Sequence, residues 1–244
     1  MSWEEVSSWY DALVGEKGHY YHQHVIFPQL LKLLDFKNKK VLDLCCGQGA
    51  FSRALPSPTS FVGLDISPSL ITAAKKMNKI PSHQFAVQDI SIPFSLEKKD
   101  FDYATILLAL QGIENPKSVL QNANTHLRKD GKIVCVINHP CFRIPRQSEW
   151  GVDEKRNLQY RALYRYATFM KVPITTSYED QEKEVLAFHY SLSMLTKAFY
   201  ESGFLIESLE EWISDKVSSG AQSKRENFAR KEFPLFMAIV GIKK

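Results

Sequence analysis

Two aspartates stand at the ends of apolar runs of strand length. Asp43 lies in Lys40–Leu44, and Asp65 closes Ser60–Asp65. After the first comes Cys45-Cys46-Gly47-Gln48-Gly49, a loop of small residues leading into a helix expected from Ala50. Such a loop presents backbone N–H groups and a helix N-terminus at the carboxyl end of a strand. That edge is where open α/β sheets bind ligands. Gly47 and Gly49 permit close approach and unusual dihedrals. A carboxylate at 65 can accept both hydroxyls of a ribose. Gln88-Asp89-Ile90 follows a third run, and its polar and apolar members suit the exocyclic amine and the face of an adenine. The chemistry these types and spacings offer is retention of a nucleoside-bearing cofactor.

The loop also separates two cofactor classes. A dinucleotide fingerprint needs a third glycine three positions after Gly49, where Ser52 stands. Asp43, ahead of the glycines, would repel a pyrophosphate. It suits an amino group and a sulfonium charge, so the pattern favours S-adenosylmethionine over a nicotinamide dinucleotide.

The elements that must position these residues read as parallel βαβ units. Lys40–Leu44, Ser60–Asp65, Gln84–Gln88, Phe101–Leu107 and Ile133–Ile137 are expected strands, the fourth largely apolar as a central parallel strand should be. Ser67-Pro68 predicts a capped helix to about Met77. Asn115-Pro116 repeats that signature, with a helix ending near Arg128 and Gly131 as its stop. Ser191 caps a further helix to about Ser202. Strands near Leu205–Leu209 and Leu235–Gly241 complete the chain. Between them, from about His139 to Phe188, periodicity is lost and aromatics and arginines accumulate.

Asp43-Leu44-Cys45-Cys46-Gly47-Gln48-Gly49 resembles the first motif of class I S-adenosylmethionine-dependent methyltransferases, and Val62-Gly63-Leu64-Asp65-Ile66-Ser67 their second. Phe101-Asp102-Tyr103-Ala104 and Leu127-Arg128-Lys129-Asp130-Gly131-Lys132 resemble the motifs at the fourth strand and before the fifth. The resemblance covers roughly residues 40–138. It extends weakly to Phe188–Ser193 and Ser202–Phe204, which look like the ending of small-molecule methyltransferases. Cys45 departs from a position the family often fills with glycine.

The resemblance implies a Rossmann-like α/β fold, a seven-stranded, mostly parallel sheet with helices on both faces, plus a lid inserted after the fifth strand. One domain would divide into N-terminal cap helices (1–36), a cofactor-binding core (37–138), a substrate lid (139–188) and a C-terminal helix with strands (189–244). It further implies that Asp43 and the backbone at Cys45 and Gly47 hold the methionine end of S-adenosylmethionine. Asp65 would bind the ribose, Ile66 would pack on the adenine, Asp89 and Ile90 would cap the base, and Leu107 would lie beside the sulfonium. Ile66, Ile90 and Leu107 read equally as core packing.

Methyl transfer is an in-line displacement, so positioning supplies much of the rate. A base is needed only where the acceptor must lose a proton. His139, directly after the fifth strand, is the candidate base or substrate contact, or a loop histidine satisfied by carbonyls. His189, before a helix, is a substrate candidate or a structural residue. Arg143 and Arg146 head a lid suited to an acceptor with an apolar or aromatic body and an anionic group. A dimer interface would use the same residue types. The aromatic and histidine-rich Trp9–Tyr10 and His19–His24 segment reads as a helix closing over the cofactor, with Tyr20 or Tyr21 on its carboxylate. No acid or cysteine completes a metal set there.

The balance of 31 Lys+Arg against 27 Asp+Glu is only mildly basic, which argues against a dedicated nucleic-acid binder without excluding RNA. No run approaches the roughly 20 apolar residues of a membrane span. Four cysteines without zinc or disulfide spacing point to a reducing cytoplasm. The expectation is a methyltransferase acting on a small molecule, as a monomer or homodimer. An RNA- or protein-modifying methyltransferase and a non-catalytic cofactor-binding module remain as alternatives.

Overall fold

The computed structural model describes residues 3–178 and 181–244. Seven strands form one sheet: β1 (Lys40–Leu44), β2 (Ser60–Asp65), β3 (His83–Val87), β4 (Phe101–Leu107), β5 (Leu127–Asn138), β10 (Phe204–Trp212) and β11 (Phe236–Lys243). Their spatial order is β10-β11-β5-β4-β1-β2-β3. The pairs β1–β2, β2–β3, β1–β4 and β4–β5 are parallel. β11 runs antiparallel to both β5 and β10, so it is the one reversed strand. The order changes direction between β1 and β4, which opens a crevice at their carboxyl ends.

Both faces of the sheet are covered, and the period-2 alternation of its strands assigns the faces. Leu42 and Leu44 of β1, with Ile133, Cys135 and Ile137 of β5, pack under α5 (Pro116–His126) and α6 (Leu192–Glu201). Val41, Val134 and Val136 face the opposite side, against α2 (Phe27–Leu33), α3 (Ala50–Ala54) and α4 (Pro68–Met77). Helix starts follow local chemistry. Ser67, Asn115 and Ser191 each accept a backbone N–H from the third residue onward, and prolines occupy the first turns of α4 and α5. The α5 helix stops at His126 and passes straight into β5, two residues earlier than the sequence pattern indicates.

The segment after β5 is not irregular. It holds two antiparallel hairpins, β6 (Ser148–Asp153) with β7 (Leu158–Leu163), and β8 (Met170–Tyr178) with β9 (Gln181–His189). Glu179 and Asp180 lie outside the described residues. The first hairpin lies beside α7 (Ser223–Glu232), with Trp150 edge-on to Phe233 just beyond that helix. The second crosses a 3₁₀ turn at Leu110–Gly112 after β4. At the other end of the chain, α1 (Ser7–Val14) packs near α4 and β8.

Candidate cofactor and acceptor site

A cavity of about 580 Å³ opens at the carboxyl ends of β1, β2 and β4. Cys45 and Gly47 line it from the β1 loop, Asp65 and Ile66 from the end of β2, Asp89 and Ile90 from the segment after β3, and Leu107 from the end of β4.

Asp65 organises the floor. Its Oδ2 accepts the Gly47 N–H at 2.8 Å and its Oδ1 accepts the Ser67 N–H at 3.0 Å. These bonds fix the carboxylate plane while leaving lone pairs for ligand hydroxyls. Burial raises its pKa, and the backbone N–H bonds oppose that rise. Asp89 Oδ1 is held by the N–H and hydroxyl of Ser91 at 2.8 and 2.6 Å. Ile66, 46% exposed, offers an apolar surface on the wall, whereas Ile90 is 5% exposed and also belongs to the core.

Gly47 has φ +54°, and a Cβ built there would stand 2.9 Å from Cε1 of Tyr10. The loop therefore exposes bare backbone under an aromatic ring, a cradle that any side chain would fill. Tyr10 and Trp3 line the cavity, ring to ring at 6.2 Å and nearly perpendicular. Glu4 anchors this flap. Its carboxylate accepts from the hydroxyls of Ser67 and Ser69 and from the Ser69 N–H. Cys45 takes φ +63°, a left-handed conformation that glycine adopts without strain. Burial holds its thiol far from ionisation.

Other residues singled out from the sequence lie elsewhere. Asp43 is 2% exposed and is not on the cavity wall. Its Oδ1 accepts the Thr105 hydroxyl at 2.6 Å beneath the loop, and burial pushes its pKa up to about 7. Gly49 starts α3 at φ +75° with no space for a Cβ, which would meet the Phe85 ring at 2.8 Å. Its contact is packing, not ligand. Tyr21 turns its hydroxyl to Ser214 Oγ at 3.4 Å and its ring edge to Phe236, so Tyr10 holds the place expected for it. Trp9-Tyr10 was part of the aromatic N-terminal signal, but nothing local marks which tyrosine reaches the loop. The N-terminal histidines diverge, His22 stacking on Phe27 and His24 on Tyr20. Among the described residues no group of three metal-binding side chains comes together.

His139 is likewise directed away from the cavity. It is buried, its Nε2 lies 2.7 Å from Glu211 Oε1, and its Nδ1 accepts the N–H groups of Cys141 and Phe142. With both nitrogens engaged it staples the β5 turn to β10, and it does not line the cavity. His189 is 4% exposed and spends Nε2 on the Tyr166 carbonyl at 2.6 Å. Arg146 does not line the cavity and adopts φ +56° on an exposed turn. Arg143 lines a separate, smaller cavity. The arginine-rich half of the inserted segment thus sits against α7, and the β8–β9 hairpin alone provides the cover, through Val185, Leu186 and Phe188.

A family model described as a methyltransferase domain matches residues 35–187. The chain belongs to that family. A ubiquinone biosynthesis O-methyltransferase of Coxiella burnetii is 28% identical over 166 residues, 64% of this chain and 70% of the relative. A demethylmenaquinone methyltransferase of Staphylococcus carnosus is 28% identical over 48% of this chain and 51% of its own. Among solved structures, an S-adenosylmethionine-dependent methyltransferase from Mesorhizobium loti superposes with TM-score 0.69 at 23% identity, covering 88% of this chain and 96% of that one. S-adenosylmethionine, the cofactor named for that solved structure, supplies a methyl group on a positively charged sulfur. The bare Gly47 backbone, the Asp65 carboxylate and the Ile66–Asp89–Ile90 wall fit its methionine, ribose and adenine parts in that order.

Proposed function

We propose that this methyltransferase acts on a small acceptor with an apolar, aromatic body and a hydroxyl to be methylated. The observation that carries this reading is the lining of the cavity beyond the cofactor residues. Leu107, Leu108, Ala109, Ile113, Leu186 and Phe188 form an apolar slot, with no lysine or arginine on its wall among the described residues. A slot of that kind stacks a ring and excludes a polyanion such as RNA. The quinone-related names of the relatives support the same class.

Methylating a hydroxyl releases a proton. Glu114 is the acid at the acceptor end, lining the cavity and 3.4 Å from Lys171 of β8. It takes the role first assigned to His139, accepting the proton while the slot aligns the oxygen with the methyl carbon. The four thiols are all free, which supports a reducing cytoplasm as the working compartment.

The test is tritiated methyl transfer from S-adenosylmethionine to a panel of catechols and hydroquinones, with bulk RNA and protein in parallel. Transfer to a phenolic hydroxyl is expected, and Asp65→Ala should weaken S-adenosylhomocysteine binding in calorimetry by about 1–3 kcal/mol. Transfer to RNA alone would refute the small-molecule reading.

A further inference from the structure

Phe188 walls two cavities. The second, about 40 Å³, sits past the end of β5 and is lined by Gln111, Asn138, Arg143 and His189 between Pro140 and Pro145. A water requires at least about 10–15 Å³ of such space, so this one accommodates a group of several heavy atoms.

Its polar lining is only partly paired among the described residues. The Gln111 amide gives Nε2–H to the Leu108 carbonyl at 2.8 Å, which leaves Oε1 buried and without a partner among the described residues. A buried acceptor left in that state costs about 1–3 kcal/mol. His189 donates through Nε2 to the Tyr166 carbonyl, which leaves Nδ1 as an acceptor with no hydrogen bond among the described residues. The Arg143 side chain forms no hydrogen bond or ion pair among the described residues. Desolvation lowers its pKa although part of the side chain reaches solvent, and the Arg143 charge lowers that of Arg161, an effect that Glu149 partly offsets. Arg161 itself is spent on carbonyls and a hydroxyl, at Phe142 and Ser148.

We propose that this annex binds a compact oxyanion, the anionic end of the methyl acceptor whose ring occupies the apolar slot across Phe188. The proposal rests on the reading of that slot as the acceptor site. Arg143 supplies the fork that grips two oxygens. Gln111 Oε1 or His189 Nδ1 accepts from a proton on the same group. A phosphate monoester keeps such a proton below its second pKa of about 6 and then satisfies the arginine and one of the two acceptors, whereas a bare carboxylate satisfies only the arginine. The annex also supplies the positive charge that the slot lacks.

The probes are inorganic phosphate, phenyl phosphate, benzoate and benzyl alcohol, titrated by calorimetry at pH 5.5 into protein saturated with S-adenosylhomocysteine at constant ionic strength. Phenyl phosphate is expected to bind at least tenfold more tightly than inorganic phosphate, to compete with it, and to exceed benzoate and then benzyl alcohol. Arg143→Gln should remove most of that preference with S-adenosylhomocysteine affinity unchanged, and Gln111→Leu should narrow the gap between phenyl phosphate and benzoate. If phosphate binds and the ring adds nothing, the anion is a free one and the link to the acceptor is wrong. If no anion binds, or Arg143→Gln binds the anions as tightly and as selectively as the wild type, the annex is not an anion site. Failure of the wild type to bind S-adenosylhomocysteine would refute the cofactor reading instead, and the phosphate titration would still report on the annex.

Discussion

A Cβ on Gly47 would lie 2.9 Å from Cε1 and 3.1 Å from the hydroxyl of Tyr10, so the first cofactor loop and the N-terminal flap leave no gap for a side chain. The pairing makes a coupled prediction. Gly47→Val should abolish S-adenosylhomocysteine binding in a folded protein. Gly47→Ala should cost stability through both the clash and the left-handed backbone. In a Tyr10→Ala background only the backbone cost remains, about 1–2 kcal/mol. A double-mutant cycle by urea denaturation should give a coupling within the usual range of about 0.5–3 kcal/mol. Strict additivity would mean that Tyr10 does not rest on the loop.

Asp43 predicts a stability that depends on pH. Its folded pKa is raised from 3.8 to about 7 by burial, so the unfolded chain ionises first as pH rises. The stability from its protonated form is complete below the unfolded value and is lost as pH climbs through about 7. Asp43→Asn should match the wild type near pH 4 and exceed it at pH 8, by at most about 4 kcal/mol in the ligand-free protein. Denaturation at several pH values reads this directly, and an unchanging gap would contradict it.

Glu114 and His139 separate by kinetics. Glu114→Gln should lower kcat with a hydroxyl acceptor by about 100-fold or more, the usual contribution of a positioned base. His139→Gln should leave kcat within a few-fold and lower thermal stability, because it loses the link to Glu211. The reverse pattern would restore the histidine to the chemistry.

The two hairpins should differ as well. Leu186→Asp, on the cavity wall, is expected to raise the acceptor KM at least tenfold with cofactor affinity intact. Arg146→Ala, on an exposed turn, is expected to change neither. Loss of acceptor binding in Arg146→Ala would bring the arginine-rich hairpin back over the site.

How far the sequence carried the site follows from locality. Asp65, Ile66, Gly47, Asp89 and Leu107 could be placed because each lies at the junction of a strand with the loop that follows it. That grammar is written in neighbouring residues. Tyr10 and Trp3 reach the cavity only because Glu4 docks on Ser67 and Ser69, a contact between distant parts of the chain. Asp43 shows the converse. Its position was legible, but the side chain turns under the loop to Thr105, which lies one strand away. The first hairpin is not legible because β6 and β7 are half-exposed on both faces, so no alternation of apolar and polar residues announces it.

Lys183 of β9 donates to the Glu5 carbonyl, so the hairpin cover and the N-terminal flap meet in a seam above the cavity. Both covers line the one cavity, the flap through Trp3 and Tyr10 and the hairpin through Val185, Leu186 and Phe188. We expect the seam to couple the two covers as one gate. Weakening it, as in Lys183→Ala, should then raise the exchange rates of cofactor and acceptor together, and turnover would be bounded by the opening of that roof however fast the methyl group moves.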